Sequence, residues 1–298
     1  EERFVTEKEV EEGEFRQIKK LKEKNYFFRM SKYQDALIEH IKNNPEFIQP
    51  KSRWNEVLGF LKKPLNDLCI SRPKSRLSWG IEIPFDKEYV TYVWFDALLN
   101  YITAIGWGSE DKKFKKWWPA DYHLMAKDIL TTHAVYWPTM LMAANIPLPK
   151  TIFSHGWWLL GESKMSKSIG NVVDPMDLID EYGVDSVRYY LMRDMVLGMD
   201  ANFTIESFIK RYNSDLANDY GNLVNRVTML IKEHFNGKVP ESGDYDEIDL
   251  ELIAEAKSTP QIVKKLIGDM KIHDIVENSL ALLRKINVYL EIKTPWKF

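Results

Sequence analysis

The sequence predicts an α/β domain, a parallel sheet covered by crossover helices, followed by an all-α helical bundle. Three observations carry this expectation. From Tyr89 the pattern runs strand, helix, strand, helix, strand, which is how a parallel sheet with crossover helices reads. After Asp200 the texture changes to long helical patterns with polar outer faces. The links between those patterns are short, so the helices are expected to be antiparallel neighbours in a bundle.

Residues 1–25 are dense in Glu, Lys and Arg, with few apolar positions, and open no clear domain. Tyr26–Phe28 is a short aromatic strand, and Ser31 is placed to cap a helix carrying Tyr33, Leu37 and Ile41 on one face. A second helix runs from Trp54 to Leu61 and stops at Lys62-Lys63-Pro64. Leu68–Arg72 and Trp79–Ile83 are strands around a Pro/Lys/Arg/Ser loop. Val90–Phe95 is then the first buried strand, followed by a helix over Ala97–Ile105. Tyr122–Ala126 is the second strand, followed by a helix from about Asp128 to Ala144 with a kink expected at Pro138. Thr151–Ser154 is the third. Asp177–Tyr182 and Asp185–Arg193 are short helices parted at Gly183. The bundle comprises Ile205–Phe235 closed by Asn236-Gly237, Asp249–Ile267 closed near Gly268, and Asp269–Ile292 stopped before Thr294-Pro295. The domain boundary is expected within residues 195–204.

Composition narrows the function. A formal net charge of −3 argues against a protein that coats nucleic acid by bulk attraction, so any RNA contact must rest on local patches and shape. Cys69 is the only cysteine, which excludes an internal disulfide and a thiolate zinc cluster in these residues. The six histidines show no close pair at ligand spacing, and no metal site is expected. No apolar run is long enough to cross a bilayer, and the acidic, polar N-terminus is unlike a signal peptide. The expected compartment is the cytoplasm, or an organellar matrix, with no membrane partner.

Polar residues cluster just past the predicted strand ends: Asp96, Lys127 with Asp128, and His155. In an open parallel sheet that edge is where ligands bind. Beyond the third strand comes Gly161–Asn171, in which Lys164 and Lys167 alternate with small hydroxyl residues between two glycines. Such a segment can present ammonium groups and hydroxyls to a polyanion whose charge grows during reaction. Taken bare, the same composition is more often a solvated surface loop.

The neighbours decide. Lys164-Met165-Ser166-Lys167-Ser168 resembles the signature loop of class I aminoacyl-tRNA synthetases, and Gly170–Pro175, Tyr182–Asp185 and Arg188-Tyr189-Tyr190 continue the class pattern. Tyr92–Ala97, Lys127-Asp128-Ile129, His133–Pro138, Tyr26–Gln34 and Phe47–Pro50 are similar to the methionyl-tRNA synthetases within that class. The resemblance extends from about Phe4 to Trp296. It implies that the sheet is a partial Rossmann-type sheet and the bundle an anticodon-binding one. It likewise implies that 1–25 is a remnant of a connective insert, 26–200 the C-terminal half of a catalytic domain, and 201–298 the anticodon-binding domain. The implied reaction joins methionine to its tRNA through methionyl-adenylate, using ATP with Mg2+. The tRNA substrates implied are the initiator and elongator methionine tRNAs with a CAU anticodon.

Residue by residue, the resemblance implies that Lys167 is the main catalytic lysine, with Lys164 assisting. ATP would meet Lys164, Ser166, Lys167, Ser168, Asp128 at the ribose, and His155, Gly156 and Trp158. Methionine would meet Trp94, Ala97, Tyr101, Ile129 and His133; the anticodon, Asn218, Asn222, Arg226 and Trp296. Without the resemblance, Trp94 and Tyr101 read as core aromatics, Asp128 as a helix cap, and the 218–222–226 face as solvated. Two positions depart from the family: Thr132 stands where it usually has an aromatic, and Ala126 where it commonly has Gly.

The family's His-x-Gly-His turn does not occur in this sequence, and neither do its zinc-knuckle cysteines, so no zinc is expected. The expectation is that the first half of the nucleotide fold lies outside these residues. The 298 residues alone should then show negligible methionine-dependent ATP–pyrophosphate exchange. Two alternatives compete: a synthetase-derived module that binds tRNA without catalysis, and a class I synthetase for leucine, valine, isoleucine or cysteine. The lysine loop argues against the first. The lack of a large inserted editing domain and the Trp94, Tyr101 and His133 set argue against the second.

Overall fold

The structure is a computed structural model that describes residues 23–161, 163–165 and 172–297. The chain divides into two units. One takes the chain up to Ile48 together with Ser52–Tyr122 and Thr131–Thr151; the other takes Gln49–Lys51, His123–Leu130 and the chain from Ile152.

The described chain opens with β1 (Phe27–Phe28), a 3-10 turn over Met30–Tyr33 and α1 (Gln34–Asn43), followed by β2 (Ile48–Gln49) and α2 (Lys51–Phe60). Leu37 and Ile41, four residues apart, are the fully buried positions of α1. Ser31 does not cap that helix. Its backbone N–H and hydroxyl both donate to Asp67 Oδ1, at 3.1 and 2.6 Å, which ties it to a loop. Helix α2 starts three residues before Trp54, whose indole N–H donates to the Ile41 carbonyl at 3.2 Å.

Next come β3 (Leu68–Cys69), β4 (Ser71–Pro73), β5 (Glu82–Ile83), β6 (Asp86–Thr91), α3 (Val93–Thr103) and α4 (Asp111–Trp117). Strand β3 pairs antiparallel with β1, while β4, β6 and β5 form a separate antiparallel sheet in that order. This corrects the expectation for Val90–Phe95, which is not a strand of the parallel sheet. Val90 pairs with Arg72 in an antiparallel ladder that ends at Thr91, and the chain turns helical at Val93 after an extended Tyr92. A short apolar run reads the same in either conformation. Burial of Leu98 and Ile102 at helical spacing decides for the helix. These two join Trp118, Trp137, Met140, Leu141 and Ile146 in the first unit's core.

Strand β7 (Tyr122–Ala126) leads into a 3-10 turn over Lys127–Ile129, a widened turn over Thr132–Tyr136, and α5 (Trp137–Ala143). One continuous helix with a kink at Pro138 was the expectation; the interruption lies earlier. The Trp137 N–H donates to the Thr132 carbonyl five residues back, so the ladder widens before the proline. Pro138 then falls in the first turn of α5, just after the widened turn.

In the second unit, β8 (Thr151–His155) is the middle strand of a parallel sheet ordered β2–β8–β7. Thr151 to Ser154 are all buried, as a central parallel strand requires. The third member of the sheet is therefore β2, a dipeptide too short to show any periodicity. Strands β9 (Trp158–Leu160) and β10 (Ser163–Lys164) form a hairpin, followed by α6 (Pro175–Tyr182), α7 (Val184–Asp194) and β11 (Ala201–Asn202), which adds to β9 in parallel. Asp174 caps α6 through the Met176 N–H at 2.8 Å, and Gly183, at φ 83°, separates the two helices.

The remaining helices are α8 (Ile205–Arg211), α9 (Asn222–Phe235), α10 (Glu247–Gly268) and α11 (Ile272–Lys293). The single helix expected over Ile205–Phe235 is widened in its middle, over Tyr212–Gly221, where the Asn222 N–H reaches the Ala217 carbonyl. Gly221 suits that turn, because a side chain there would begin 3.1 Å from the Leu216 carbonyl oxygen. Helix α10 starts before Asp249 through a capping box between Asp246 and Asp249. Lys293 binds both carboxylates at 2.7 Å, joining the end of α11 to the start of α10.

A buried ionic network joins α7 to α8, the widened turn and α11. Arg193, 7% exposed, lies 3.6 Å from Asp215, 2% exposed, pairs with Glu277, and contacts His273 Nε2 at 2.8 Å. Tyr189 donates to Asp215 at 2.7 Å. Arg284 shares the same carboxylates, at 3.8 Å from Asp215 and 3.1 Å from Glu277.

Candidate functional site

Trp94, Ala97 and Tyr101 occupy positions i, i+3 and i+7 of α3, one face of that helix. His133 is held in the widened turn before α5 and is 2% exposed. Its Nε2 lies 2.8 Å from the Tyr101 hydroxyl, and the two rings meet edge to face at 5.6 Å. Trp137 flanks Tyr101 at 6.0 Å. Partial burial pushes the Tyr101 hydroxyl above its ordinary value, so it stays a neutral donor or acceptor. The predicted set is therefore brought together at Tyr101 and His133. An aromatic wall with one partly buried polar pair suits a flexible, polarisable side chain. Ile129 belongs to the other unit, in the 3-10 turn after β7.

In the second unit, the C-terminal ends of the neighbouring strands β7 and β8 deliver Lys127-Asp128 and His155-Gly156. Asp128 is exposed on its 3-10 turn. His155 Nδ1–H donates to the Gly156 carbonyl at 2.7 Å, which fixes the ring against the backbone turn. Gly156 is packed against the chain at 199–200: a Cβ would lie 2.2 Å from the Met199 carbonyl oxygen and 2.5 Å from the Asp200 nitrogen. No side chain fits there. Trp158 is half-buried on the Tyr190 ring at 5.8 Å, and its backbone lies in register with Ala201. Lys164 pairs through its backbone with Leu159. Ser166, Lys167 and Ser168 lie outside the described residues.

Sequence reasoning missed a cluster here. Asp200 accepts from Lys127 Nζ at 2.6 Å and from the Trp157 N–H at 2.9 Å, while the same ammonium stands 4.1 Å from the Trp157 ring centroid. The partners are separated by 73 and 43 residues, and no local spacing rule links them.

On the bundle, Asn218, Asn222 and Arg226 line one groove of about 500 Å³, walled on the α11 side by Arg284, Asn287, Val288 and Glu291. Asp219 and Asn225 complete it. Asn225 lies three residues after Asn222, so adding the i, i+3 neighbour of that face would have found it. Arg226 pairs with Glu291 at 2.7 Å, and its guanidinium lies 5.2 Å from the Trp296 ring, which is 40% exposed. The four predicted residues of the bundle thus belong to one surface. Among the described residues, no group of three His, Cys, Asp or Glu could hold a metal ion, and no helix is long and apolar enough to cross a membrane.

Comparison with known proteins places these features in one family. The family model for class I tRNA synthetases (M) matches residues 13–228. The methionine–tRNA ligase of Clostridium acetobutylicum is 50% identical over 99% of this chain and 46% of its own length. That of Caldanaerobacter subterraneus subsp. tengcongensis is 46% identical over 99% of this chain and 47% of its own. The chain thus spans about half the length of the curated relatives it matches. A crystal structure of Mycobacterium tuberculosis methionyl-tRNA synthetase bound by methionyl-adenylate has a TM-score of 0.87 at 41% identity, covering 92% of this chain and 54% of that one.

Proposed function

Because the chain belongs to the class I tRNA synthetases of the methionine type, we propose that the protein joins methionine to its tRNA through methionyl-adenylate. The observation that carries the methionine assignment is the contact at 2.8 Å between buried His133 and Tyr101, which lies beside Trp137 and on the same helix face as Trp94. A thioether accepts hydrogen bonds weakly, so shape supplies most of the selectivity and the polar pair fixes orientation.

The methionine carboxylate attacks the α-phosphorus of ATP; an O–P bond forms and the bond to pyrophosphate breaks. Negative charge grows on the leaving group, and Lys167, with Lys164, Ser166 and Ser168, closes over it. Asp128 takes the ribose hydroxyls, and His155, Gly156 and the Trp158 backbone bound the adenine. Magnesium would enter on the triphosphate. A ribose hydroxyl of the tRNA's terminal adenosine then attacks the methionyl carbonyl, forming an ester as the bond to phosphate breaks and AMP leaves. The chain is proposed to comprise a connective remnant at 1–25, half of the catalytic domain at 26–200 and the anticodon-binding domain at 201–298.

In the bundle groove, Trp296 stacks on a splayed base, while Asn218, Asn222 and Arg226 bond to exposed base edges of the CAU anticodon. Initiator and elongator methionine tRNAs share that anticodon and are the proposed substrates, in the cytoplasm. The test is exchange of labelled pyrophosphate into ATP by the full-length protein against a panel of amino acids. Methionine alone should support exchange; a preference for leucine or cysteine would overturn the assignment.

A further inference from the structure

We infer that Asp200 is a positioning residue of the nucleotide edge, clamping Lys127 and the Gly156–Trp157 backbone into one register; this rests on the reading of that edge as the ATP site. The two segments leave the ends of adjacent parallel strands. Asp200 links them with both oxygens: Oδ2 to Lys127 Nζ at 2.6 Å and Oδ1 to the Trp157 N–H at 2.9 Å. The Lys127 ammonium, 4.1 Å from the Trp157 ring, closes the triangle.

The clamp is itself anchored. The Ala201 N–H donates to the Trp157 carbonyl at 2.9 Å, so the residue after Asp200 is tied to the strand that Asp200 holds. The absence of space for a Cβ at Gly156 brings the chain at Met199–Asp200 directly onto the turn. Neither charged side chain is deeply buried, at 20% exposure for Lys127 and 35% for Asp200. Such a pair adds little to global stability and acts by fixing geometry. Asp128 is the next residue after Lys127, so a released Lys127 lets the ribose acceptor drift from the turn at Gly156.

The experiment measures KM for ATP and for methionine separately, by pyrophosphate exchange in the full-length protein, for D200A, D200N, K127A and the D200A/K127A double variant. Expected is a rise of about tenfold in the ATP KM for D200A and K127A. D200N, which keeps an acceptor for the Trp157 N–H but loses the charge, should fall between wild type and D200A. The methionine KM and the melting midpoint should stay at wild-type values, and the double variant should be no worse than D200A, since one clamp is removed once. An unchanged ATP KM, an additive double variant, or equal rises in both KM values with a lowered melting midpoint would each overturn the inference while the wild type still responds to methionine. A wild type that exchanges without methionine overturns the reading of the site, and the clamp with it.

Discussion

Replacing Lys167 with alanine in the full-length protein is expected to slow methionyl-adenylate formation about 10²–10³-fold, the scale of losing one preorganised charge stabiliser. Methionine affinity should stay close to wild type, because the ammonium acts on charge that appears only as pyrophosphate departs. Strands β9 and β10 form a hairpin turned through Gly161, at φ 66°, in which Lys164 pairs with Leu159. Lys167 lies three residues beyond Lys164. Single-turnover adenylate formation measures the effect, with Lys167→Arg as the control that keeps the charge and changes its shape. Kinetics indistinguishable from wild type in the alanine variant would remove Lys167 from the mechanism.

Loss of Arg193 should strongly destabilise the second unit, by about 3 kcal/mol, the low end of the usual range when one partner of a buried ion pair is removed. Asp215 would remain 2% exposed with its nearest buried counter-charge gone. Burial alone pushes its carboxyl up. Hydrogen bonds from Tyr189 and Ser214, with the Arg211 and Arg193 charges, outweigh burial and hold it below the ordinary carboxylate value. In the intact protein this contribution is present above the unfolded carboxylate value and lost as pH falls through the folded one. In Arg193→Ala the burial effect gains ground, so the carboxyl binds its proton at higher pH. The stability deficit should therefore narrow as pH falls through the carboxylate range. Urea denaturation at several pH values tests both parts; a deficit below about 1 kcal/mol, the scale of an exposed pair, or one independent of pH, would contradict the account.

Much of this protein was legible in its residues because the signals were local. The helices of the bundle announced themselves through period and the Asn236-Gly237 stop, and α6 and α7 through the glycine that separates them. The family resemblance, carried by contiguous strings of residues, pointed to the Tyr101–His133 pair and to the Asn218, Asn222 and Arg226 face, whose members the structure brings onto common surfaces.

The errors share one cause. Val90–Phe95 is apolar enough for either strand or helix, and its conformation follows from which residues the rest of the unit buries. The parallel sheet instead recruits Ile48-Gln49, a dipeptide whose strand character comes wholly from pairing with β8. The widened turns before Trp137 and Asn222 leave the hydrophobic period almost intact and alter the hydrogen-bond ladder beneath it. Sequence by itself determined the class of fold, the family and the chemical types at the sites, since those depend on residue identity and short-range spacing. Tertiary structure decided the sheet's third strand, the carboxylates shared by Arg193 and Arg284, and the clamp from Asp200 to Lys127 and Trp157. These depend on which distant segments exclude water together, and that choice is made only when the whole chain packs.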